Sequence, residues 1–399
     1  MNTDTFILSF LKREYSFFYN DIQKNSKQLS DQIAGKNIIV IGGAGTIGFS
    51  FIKAALQFKP AKLVVVDINE NGLTEITRDL RSTTDQFIPQ DFYTYPLSFD
   101  NPAFSKLFKA HGPFDIVANF AAHKHVRSEK DIYSIEALLE NNLIKANGLL
   151  KLLSQYPPKH FFCVSTDKAA NPVNIMGASK KMMEDMILAY SSRFKVSTAR
   201  FANVAFSNGS LLDGFLRRIE KKQPLSCPSD VTRFFVSPQE AGEICLMACI
   251  LGNSAEIFFP KLEMQKDLIN FVDFVAPLLK EFGYEPLICQ TEWEARNSMH
   301  KIKEGKYPVY LFKTDTSGEK LYEEFYTDEE AYKLNKFEAL GVIEKKPPYE
   351  IAAFDTIINE LEHLLAKEET VKSDIVSWLH KYIPEFEHVE TGLSLDKKM

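Results

Sequence analysis

An acidic residue and two lysines lie in one short stretch of the chain that could carry acid–base chemistry. The run 164–180 starts at the end of a predicted strand and continues into a predicted helix. It contains Asp167, Lys168 and, twelve residues after Lys168, Lys180. Open α/β sheets bind ligands beside the carboxyl ends of their strands. The position predicts an acid and two amines in one ligand cleft, although Asp167 and Lys168 alone could equally be a solvated charge pair on a loop.

A glycine-rich turn comes earlier in the chain. Residues 42–48 are Gly-Gly-Ala-Gly-Thr-Ile-Gly, and Gly42, Gly45 and Gly48 fit a GxxGxxG spacing between a predicted strand and a predicted helix. Glycines in that context allow a tight turn and bring a pyrophosphate close to the helix N-terminus, whose free N–H groups and dipole favour anions. The predicted dinucleotide contacts are Gly42, Gly45, Thr46, Ile47 and Gly48.

The end of the second predicted strand indicates which nicotinamide dinucleotide would bind. Asp67 ends that strand, 19 residues after Gly48. A carboxylate there can accept hydrogen bonds from both hydroxyls of the adenine ribose and would repel a 2′-phosphate. No arginine follows within three positions, so NAD is favoured over NADP. The small residues Ala121 and Ala122, after the fourth predicted strand, are those expected beside the cofactor.

Predicted strands and helices alternate from Lys36 to about residue 205. The strands are continuous apolar runs, which is typical of a parallel sheet covered by helices on both faces. The expected fold class is α/β: a doubly wound parallel sheet of the Rossmann type with a smaller mixed C-terminal substrate lobe and helical extensions. We divide the chain into a helical N-terminal extension (1–35), a Rossmann domain that binds NAD (36–205), a substrate-binding lobe that shares sheet elements with it (206–346), and C-terminal helices and a tail (347–399).

Composition excludes several classes of protein. A net charge of −6 gives no reason to expect nucleic acid as a partner. No run approaches the ~18 apolar residues that cross a bilayer, and the N-terminus lacks a signal-peptide pattern. The five cysteines form no CxxC pair, which suits reduced thiols. We therefore expect a cytoplasmic protein without an integral membrane segment and without a metal.

An aromatic cluster lies in the N-terminal extension. It could pack on the main body, on another subunit or, as a less favoured alternative, on a membrane surface. Its members are Phe6, Phe10, Tyr15, Phe17, Phe18 and Tyr19.

Taken together, these motifs resemble the UDP-N-acetylglucosamine 4,6-dehydratases, nucleotide-sugar enzymes of polysaccharide and glycan biosynthesis within the extended short-chain dehydrogenase/reductase superfamily. The resemblance runs from about Lys36 to Phe386. Its most specific motifs are Ser-Thr-Asp-Lys-Ala at 165–169 and Gly-Glu-Lys-Leu-Tyr-Glu-Glu at 318–324. Further landmarks are the runs 121–126, 200–204, 232–234 and 383–386.

The resemblance implies a reaction in three stages. The sugar C4 hydroxyl is oxidised by NAD, water is lost across C5 and C6, and hydride returns to C6 to give a 4-keto-6-deoxy sugar. Lys180 would bind the nicotinamide ribose, Lys168 would remove the C5 proton, and Asp167 would protonate the C6 hydroxyl. We expect burial and Lys180 to lower the pKa of Lys168, and desolvation to raise the pKa of Asp167.

One catalytic position departs from the superfamily pattern. Met176 stands where the superfamily has the tyrosine of Tyr-x-x-x-Lys, a variant that some dehydratases of this family share. A thioether cannot take a proton, so Thr166, directly or through a water, is the candidate relay for the C4 proton.

The resemblance also implies substrate contacts. Lys124, Asn203 and Arg233 would contact the sugar or diphosphate, and Glu319 the nucleotide ribose. Arg127, Ala202 and Asn208 depart from the usual residues, which leaves the substrate's identity open. His123 and His125, which flank Lys124, are expected to shape the pocket rather than bind a metal.

Two alternatives remain at this point. One is a related sugar-nucleotide enzyme: a 4-epimerase, a 5-epimerising dehydratase or a 4-ketoreductase. The other is an inactive NAD-binding paralogue, which Met176 would explain. Asp167 and Lys168 favour elimination, so a nucleotide sugar, with a UDP-sugar preferred, is the expected substrate. The expected assembly is a homo-oligomer.

Overall fold

The structure is a computed structural model that describes residues 1–315, 318, 320 and 322–390. Glu319, which the resemblance placed on the nucleotide ribose, lies outside the described residues.

Strands and helices alternate along the described chain. The strands are β1 (Asn37–Ile41), β2 (Lys62–Asp67), β3 (Asp91–Pro96), β4 (Ile116–Asn119), β5 (His160–Val164), β6 (Val196–Ala199), β7 (Asn203–Val204), β8 (Leu225–Pro228), β9 (Thr232–Arg233), β10 (Phe235–Val236), β11 (Glu256–Pro260), β12 (Ile269–Asn270), β13 (Glu285–Cys289), β14 (Lys306–Phe312), β15 (Tyr332–Lys333) and β16 (Leu340–Glu344). The α-helices are α1 (Thr3–Phe10), α2 (Tyr19–Ile33), α3 (Thr46–Leu56), α4 (Glu70–Ser82), α5 (Pro102–His111), α6 (Ile132–Leu139), α7 (Ala146–Gln155), α8 (Ile175–Ala189), α9 (Leu211–Glu220), α10 (Pro238–Leu251), α11 (Met264–Asp267), α12 (Val275–Glu281), α13 (Glu292–Asn297), α14 (Ile351–Leu365) and α15 (Lys372–Tyr382).

Nine of these strands form the central sheet. Their order is β15-β16-β11-β6-β5-β4-β1-β2-β3, and the strands are parallel except that β16 runs antiparallel to both β11 and β15. The strand β1 lies between β2 and β4, so the chain order reverses there. Such a reversal opens a crevice at the carboxyl ends of the two strands. The predicted fold class is confirmed.

The sheet strands are buried because helices cover both faces. β1, β2, β4 and β5 consist almost entirely of buried residues, as continuous apolar runs require in a parallel sheet. On one face α10 lies directly against α3. A Cβ atom added to Gly242 of α10 would lie 2.3 Å from the carbonyl oxygen of Ser50, so the two helices meet backbone to backbone.

This contact gives a first prediction. Gly242→Ala should lower the apparent free energy of unfolding by about 1–3 kcal/mol, the usual cost of overpacking. Gly148 in α7 is a matched control, because a Cβ atom there would meet nothing within 4 Å. Gly148→Ala should stabilise the protein by roughly 0.5–1 kcal/mol through helix propensity. Urea denaturation of both variants checks the pair, and equal stabilities would contradict the close approach.

A second hydrophobic core lies beside the first. It draws on Ile7 of α1 and on two stretches, 205–235 and 271–309, while most of the chain from 236 to 260 packs into the core of the central sheet. The chain therefore leaves the sheet, returns to it through α10 and β11, and leaves it again. The division into four segments stays a prediction.

The N-terminal extension packs on the main body. Phe6 meets Phe206 edge to face with ring centroids 5.7 Å apart, and Phe10 stacks on Phe274 at 4.1 Å. Arg13 donates two hydrogen bonds to Glu240 at the start of α10. The extension thus bridges the two cores. Among the described residues, no helix is both long and apolar enough to span a membrane.

Candidate active site

A cleft of ≈ 820 Å³ opens at the carboxyl ends of the central strands. Its walls come from the ends of β1, β2, β4 and β5 and from the loop after β7. The reversal of strand order places the first four of these ends beside one another. The cleft brings together these sequence-predicted residues: Gly42, Gly45, Thr46, Ile47, Gly48, Asp67, Ala121, Ala122, Lys124, Thr166, Asp167, Lys168, Met176, Lys180 and Asn203.

The glycine turn is dictated by backbone contacts inside the protein. Gly42 has φ +74°, and a Cβ atom there would lie 2.4 Å from the backbone nitrogen of Ala121. A Cβ atom on Gly48 would lie 2.4 Å from the carbonyl oxygen of Gly42. Gly45 is different, because its nearest contact would be an ordinary 3.5 Å. Its missing side chain leaves room on the cleft side, where α3 begins.

Asp67 connects the second strand to the glycine turn. Its carboxylate accepts hydrogen bonds from the backbone N–H groups of Ala44 and Asn69, each over 2.9 Å. The side chain is half-buried and lines the cleft. The carboxylate is thus fixed at the edge of the pocket, close to the N-terminus of α3.

A short turn after β5 holds the predicted acid–base residues. The Thr166 hydroxyl donates to Asp167 Oδ1 over 2.7 Å, and Lys168 Nζ donates to the same oxygen over 3.0 Å. Asp167 is 3% exposed, and the Lys168 side chain is 17% exposed. One carboxylate oxygen therefore contacts both the hydroxyl and the ammonium at the cleft wall.

Lys168 has a second carboxylate neighbour that sequence reasoning missed. Its Nζ lies 3.7 Å from Oε1 of Glu323, which is buried and lies 3.9 Å from the guanidinium of Arg233. Burial alone would lower the pKa of Lys168, but Asp167 and Glu323 outweigh it and raise that pKa, with Arg233 acting against them. The expected lowering was wrong because it left out the charges of both carboxylates, Asp167 first and Glu323 second. The sequence did contain one signal for Glu323, because this residue belongs to the Gly-Glu-Lys-Leu-Tyr-Glu-Glu motif.

Helix α8 positions Met176 and Lys180 in the cleft wall. Asn174 caps the helix by accepting from the N–H of Gly177 over 2.7 Å. A Cβ atom on Gly177 would lie 2.6 Å from the Lys168 carbonyl oxygen, so the helix start and the catalytic turn are in close contact. Lys180 Nζ donates to the Val164 carbonyl over 2.6 Å, and burial lowers the pKa of this lysine.

A π-helical segment between α6 and α7 supports the same wall. Residues 140–145 form this π-helix. Asn142 in this segment exchanges two hydrogen bonds, each of 2.9 Å, with the backbone of His123. It also donates to Ser179 Oγ over 3.1 Å, which ties the loop after β4 to α8. A π-bulge at a functional site is a recurrent feature that a periodicity argument does not detect.

The residues after β4 make one end of the cleft electropositive. Among the described residues, Lys124 has no ion-pair partner within 4.0 Å, and burial lowers its pKa. Burial and then Lys145 lower the pKa of His123, and burial and then Lys124 lower the pKa of His125. An anionic group bound there would relieve this repulsion. No cluster of three or more possible metal ligands occurs in the described part of the chain.

One predicted substrate contact, Arg233, is not among the described residues that line the cleft. Arg233 is 4% exposed and packs against Glu323, behind Lys168, instead of lining the cleft. Its assignment to the sugar or diphosphate stays a prediction, as do those of Lys124 and Asn203, which line the cleft. Glu319 lies outside the described residues. Asn208, in the loop after β7, donates its backbone N–H to Thr46 Oγ1 over 3.0 Å and closes the loop onto the glycine turn.

Comparison with known proteins identifies the family. Residues 38–345 match the family described as "Polysaccharide biosynthesis protein". The chain belongs to this family. The resemblance of this chain to the UDP-N-acetylglucosamine 4,6-dehydratases, predicted from the motifs, is confirmed at the level of the family.

Three relatives illustrate the range of similarity. An uncharacterized membrane protein of Methanocaldococcus jannaschii is 33% identical over 325 residues, which are 79% of this chain and 88% of that protein. A UDP-N-acetylglucosamine 4,6-dehydratase (inverting) of Campylobacter jejuni is 27% identical over 61% of this chain and 72% of its own. The crystal structure of Pen from Bacillus thuringiensis has a TM-score of 0.65 at 21% identity, over 82% of this chain and 99% of Pen, and shows the same fold.

The match to some curated relatives is partial. The chain spans 50% of the length of two further polysaccharide biosynthesis proteins, at 28% and 27% identity. Those proteins contain about as much sequence again outside the matched region.

Proposed function

We propose that the chain is an NAD-dependent nucleotide-sugar 4,6-dehydratase whose substrate is a UDP-N-acetylhexosamine, with UDP-N-acetylglucosamine the first choice. One observation carries the proposal: the Asp167 carboxylate and the Lys168 ammonium share a hydrogen bond of 3.0 Å in the wall of the cleft that also contains the glycine turn. Elimination of water needs an acid and a base side by side. The similarity to the Campylobacter jejuni dehydratase supports the same reaction.

The cleft fits NAD. The glycine turn leaves the N-terminus of α3 open to a pyrophosphate, and the Asp67 carboxylate lies at the pocket edge where a ribose diol would bind. Lys180 lines the same cleft and would bind the nicotinamide ribose. Once bound, NAD supplies the hydride acceptor for C4 and the hydride donor for C6.

The role of Asp67 gives a second prediction. Asp67→Asn should raise the Kd for NAD at least about tenfold, because a hydrogen bond to a charged acceptor contributes ~1.5–3 kcal/mol. Titration calorimetry measures the change. Asp79→Asn is the control, since Asp79 pairs with Lys53 on the surface and should leave the Kd unchanged. An unchanged Kd in Asp67→Asn would remove Asp67 from the cofactor site.

The C4 hydroxyl proton has a route that needs no tyrosine. With Met176 at the tyrosine position, the C4 hydroxyl would give its proton to Thr166 Oγ1 while Thr166 passes its own proton to Asp167. The existing Thr166–Asp167 hydrogen bond of 2.7 Å supports this relay. The transfer leaves Asp167 protonated, which is the state that the next step requires.

Lys168 and Asp167 would then carry out the elimination. The C4 ketone acidifies the C5 hydrogen, which Lys168 removes in its neutral form, while Asp167 protonates the departing C6 hydroxyl. The C4 proton therefore leaves as part of the water. When C6 is reduced, C5 regains a proton from Lys168, whose amine protons exchange with solvent. Asp167 thus carries the proton that moves from C4 to the departing water, and Lys168 takes one proton from C5 and gives one back, so no proton is gained or lost overall.

Product analysis tests the proposal directly. Incubation with UDP-N-acetylglucosamine should give a UDP-4-keto-6-deoxy sugar, identified by NMR, together with incorporation of solvent deuterium at C5. A parallel screen of dTDP-, GDP- and CDP-sugars determines the nucleotide. A 4-epimer with an intact 6-hydroxyl would instead establish an epimerase, and no conversion of any nucleotide sugar would reject the proposal.

A further inference from the structure

Glu323 is a buried carboxylate that neither the family resemblance nor the proposed reaction assigns. Its side chain is 5% exposed, and it is not among the described residues that line the cleft. It contacts two cations from behind the cleft wall: Lys168 Nζ at 3.7 Å and Arg233 Nη2 at 3.9 Å. A carboxylate so deeply buried is costly unless it is paired, so the position calls for an explanation.

The proposed reaction does not yet give a place to the ammonium proton of Lys168 during the removal of the C5 hydrogen. Lys168 must be neutral when it attacks the C5 hydrogen, yet Asp167 and Glu323 hold it as an ammonium in the ligand-free site. Asp167 cannot take the ammonium proton, because it already carries the proton from C4. Among the residues that the structure describes, Glu323 is the other carboxylate within ion-pair distance of Nζ.

We infer that Glu323 is a positioning residue for Lys168 that holds its side chain against the cleft wall and stores its proton while Lys168 acts as the base. This inference rests on the proposed dehydration. The ammonium gives a proton to a Glu323 oxygen, leaving a neutral amine and a neutral carboxyl group. After Lys168 has taken the C5 proton and has donated a proton back to C5, the stored proton goes back from Glu323 to the amine. No proton is gained or lost over the cycle.

The surroundings of Glu323 suit this exchange. Burial raises its pKa, and Asp167 acts in the same direction, while Lys168, Arg233 and Lys320 lower it. A carboxyl group with a raised pKa accepts a proton more readily than a solvated one. The 3.7 Å separation is longer than a hydrogen bond, and such contacts in ligand-free sites commonly tighten when the substrate binds.

The first test measures Lys168 without using turnover. Trace acetylation by acetic anhydride, followed over pH by mass spectrometry of the Lys168 peptide, reports the pKa of this amine. Glu323→Gln should lower that pKa by about one to two units, because one of two nearby opposite charges is lost. Glu324→Gln is the matched control: the neighbouring carboxylate instead accepts from Asn171 Nδ2 over 2.8 Å, so its loss should leave the profile unchanged.

The second test separates proton storage from a merely structural role. Glu323→Gln should lower kcat about tenfold to a hundredfold near neutral pH with little change in KM. Activity should recover as pH rises, since Lys168 can then lose its proton to water. A structural defect would instead lower kcat by the same factor at every pH.

The outcomes are distinct. An unchanged acetylation profile in Glu323→Gln overturns the inference, as does a kcat deficit that does not recover at high pH. If Glu323→Gln fails to fold, Glu323→Asp moves the carboxylate away from Nζ and should lower the Lys168 pKa by a smaller amount; no change there overturns the inference equally. If the wild-type protein converts no nucleotide sugar while the acetylation profile moves as expected, the proposed function fails and the Glu323–Lys168 coupling stands.

Discussion

Lys168→Met is expected to stop the reaction after the first oxidation. Methionine is an unbranched side chain one atom shorter than lysine, so it fills most of the same space, but it has no amine to remove the C5 hydrogen. Turnover should fall by about a thousandfold or more, within the range for loss of a general base. The proton route from C4 through Thr166 to Asp167 does not involve Lys168. Quenching the variant with substrate should therefore release a 4-keto sugar that still carries its 6-hydroxyl, in an amount that does not exceed the enzyme.

The control for this variant is Lys159→Met, at the start of β5. Lys159 forms a surface ion pair with Asp115 at 2.9 Å, so its loss should leave turnover and NAD binding unchanged. Solvent deuterium at C5 is the decisive readout for Lys168→Met. Continued exchange at C5 in that variant would mean that another group removes the hydrogen.

The parts of the site that sequence predicted are those that depend on local chain geometry. The turn at Gly42–Gly48 follows a buried strand and begins a helix, so its place at a sheet edge follows from neighbouring residues alone. The pair Asp167 and Lys168 follows β5 in the same way. Because parallel strands end at one edge, these two separate turns had to meet there. Strand periodicity was therefore sufficient to predict the cleft.

The parts that sequence did not predict depend on contacts between distant segments. Glu323 reaches Lys168 from a part of the chain whose described residues belong to no helix or strand, and no periodicity relates the two. Its charge adds to that of Asp167 in raising the pKa of Lys168, against the expected direction. Glu323 also lies 3.9 Å from Arg233, which is not among the described residues that line the cleft. The π-helix at Asn142 was not predicted for a related reason, because its role depends on hydrogen bonds to the loop after β4.

Asp167→Asn is expected to block the reaction one step earlier than Lys168→Met. An amide retains the shape of the side chain but cannot accept the proton that Thr166 passes on. Turnover should fall by about a thousandfold, and no 4-keto sugar of any kind should be released on quenching. The Thr166 hydroxyl would still have a neighbouring oxygen to donate to, so the loss would come from proton transfer and not from the loss of a contact.

The two variants together test whether one carboxyl group serves both ends of the reaction. If Asp167 only protonated the C6 hydroxyl, Asp167→Asn would accumulate the same 4-keto sugar with its 6-hydroxyl as Lys168→Met does. Thr166→Val separates the relay from its acceptor, because it removes the hydroxyl and leaves the Asp167–Lys168 pair in place. It should resemble Asp167→Asn in releasing no 4-keto sugar. Accumulation of that sugar in Asp167→Asn would show that a different base accepts the C4 proton, and the proton that leaves in the water would then have a separate source.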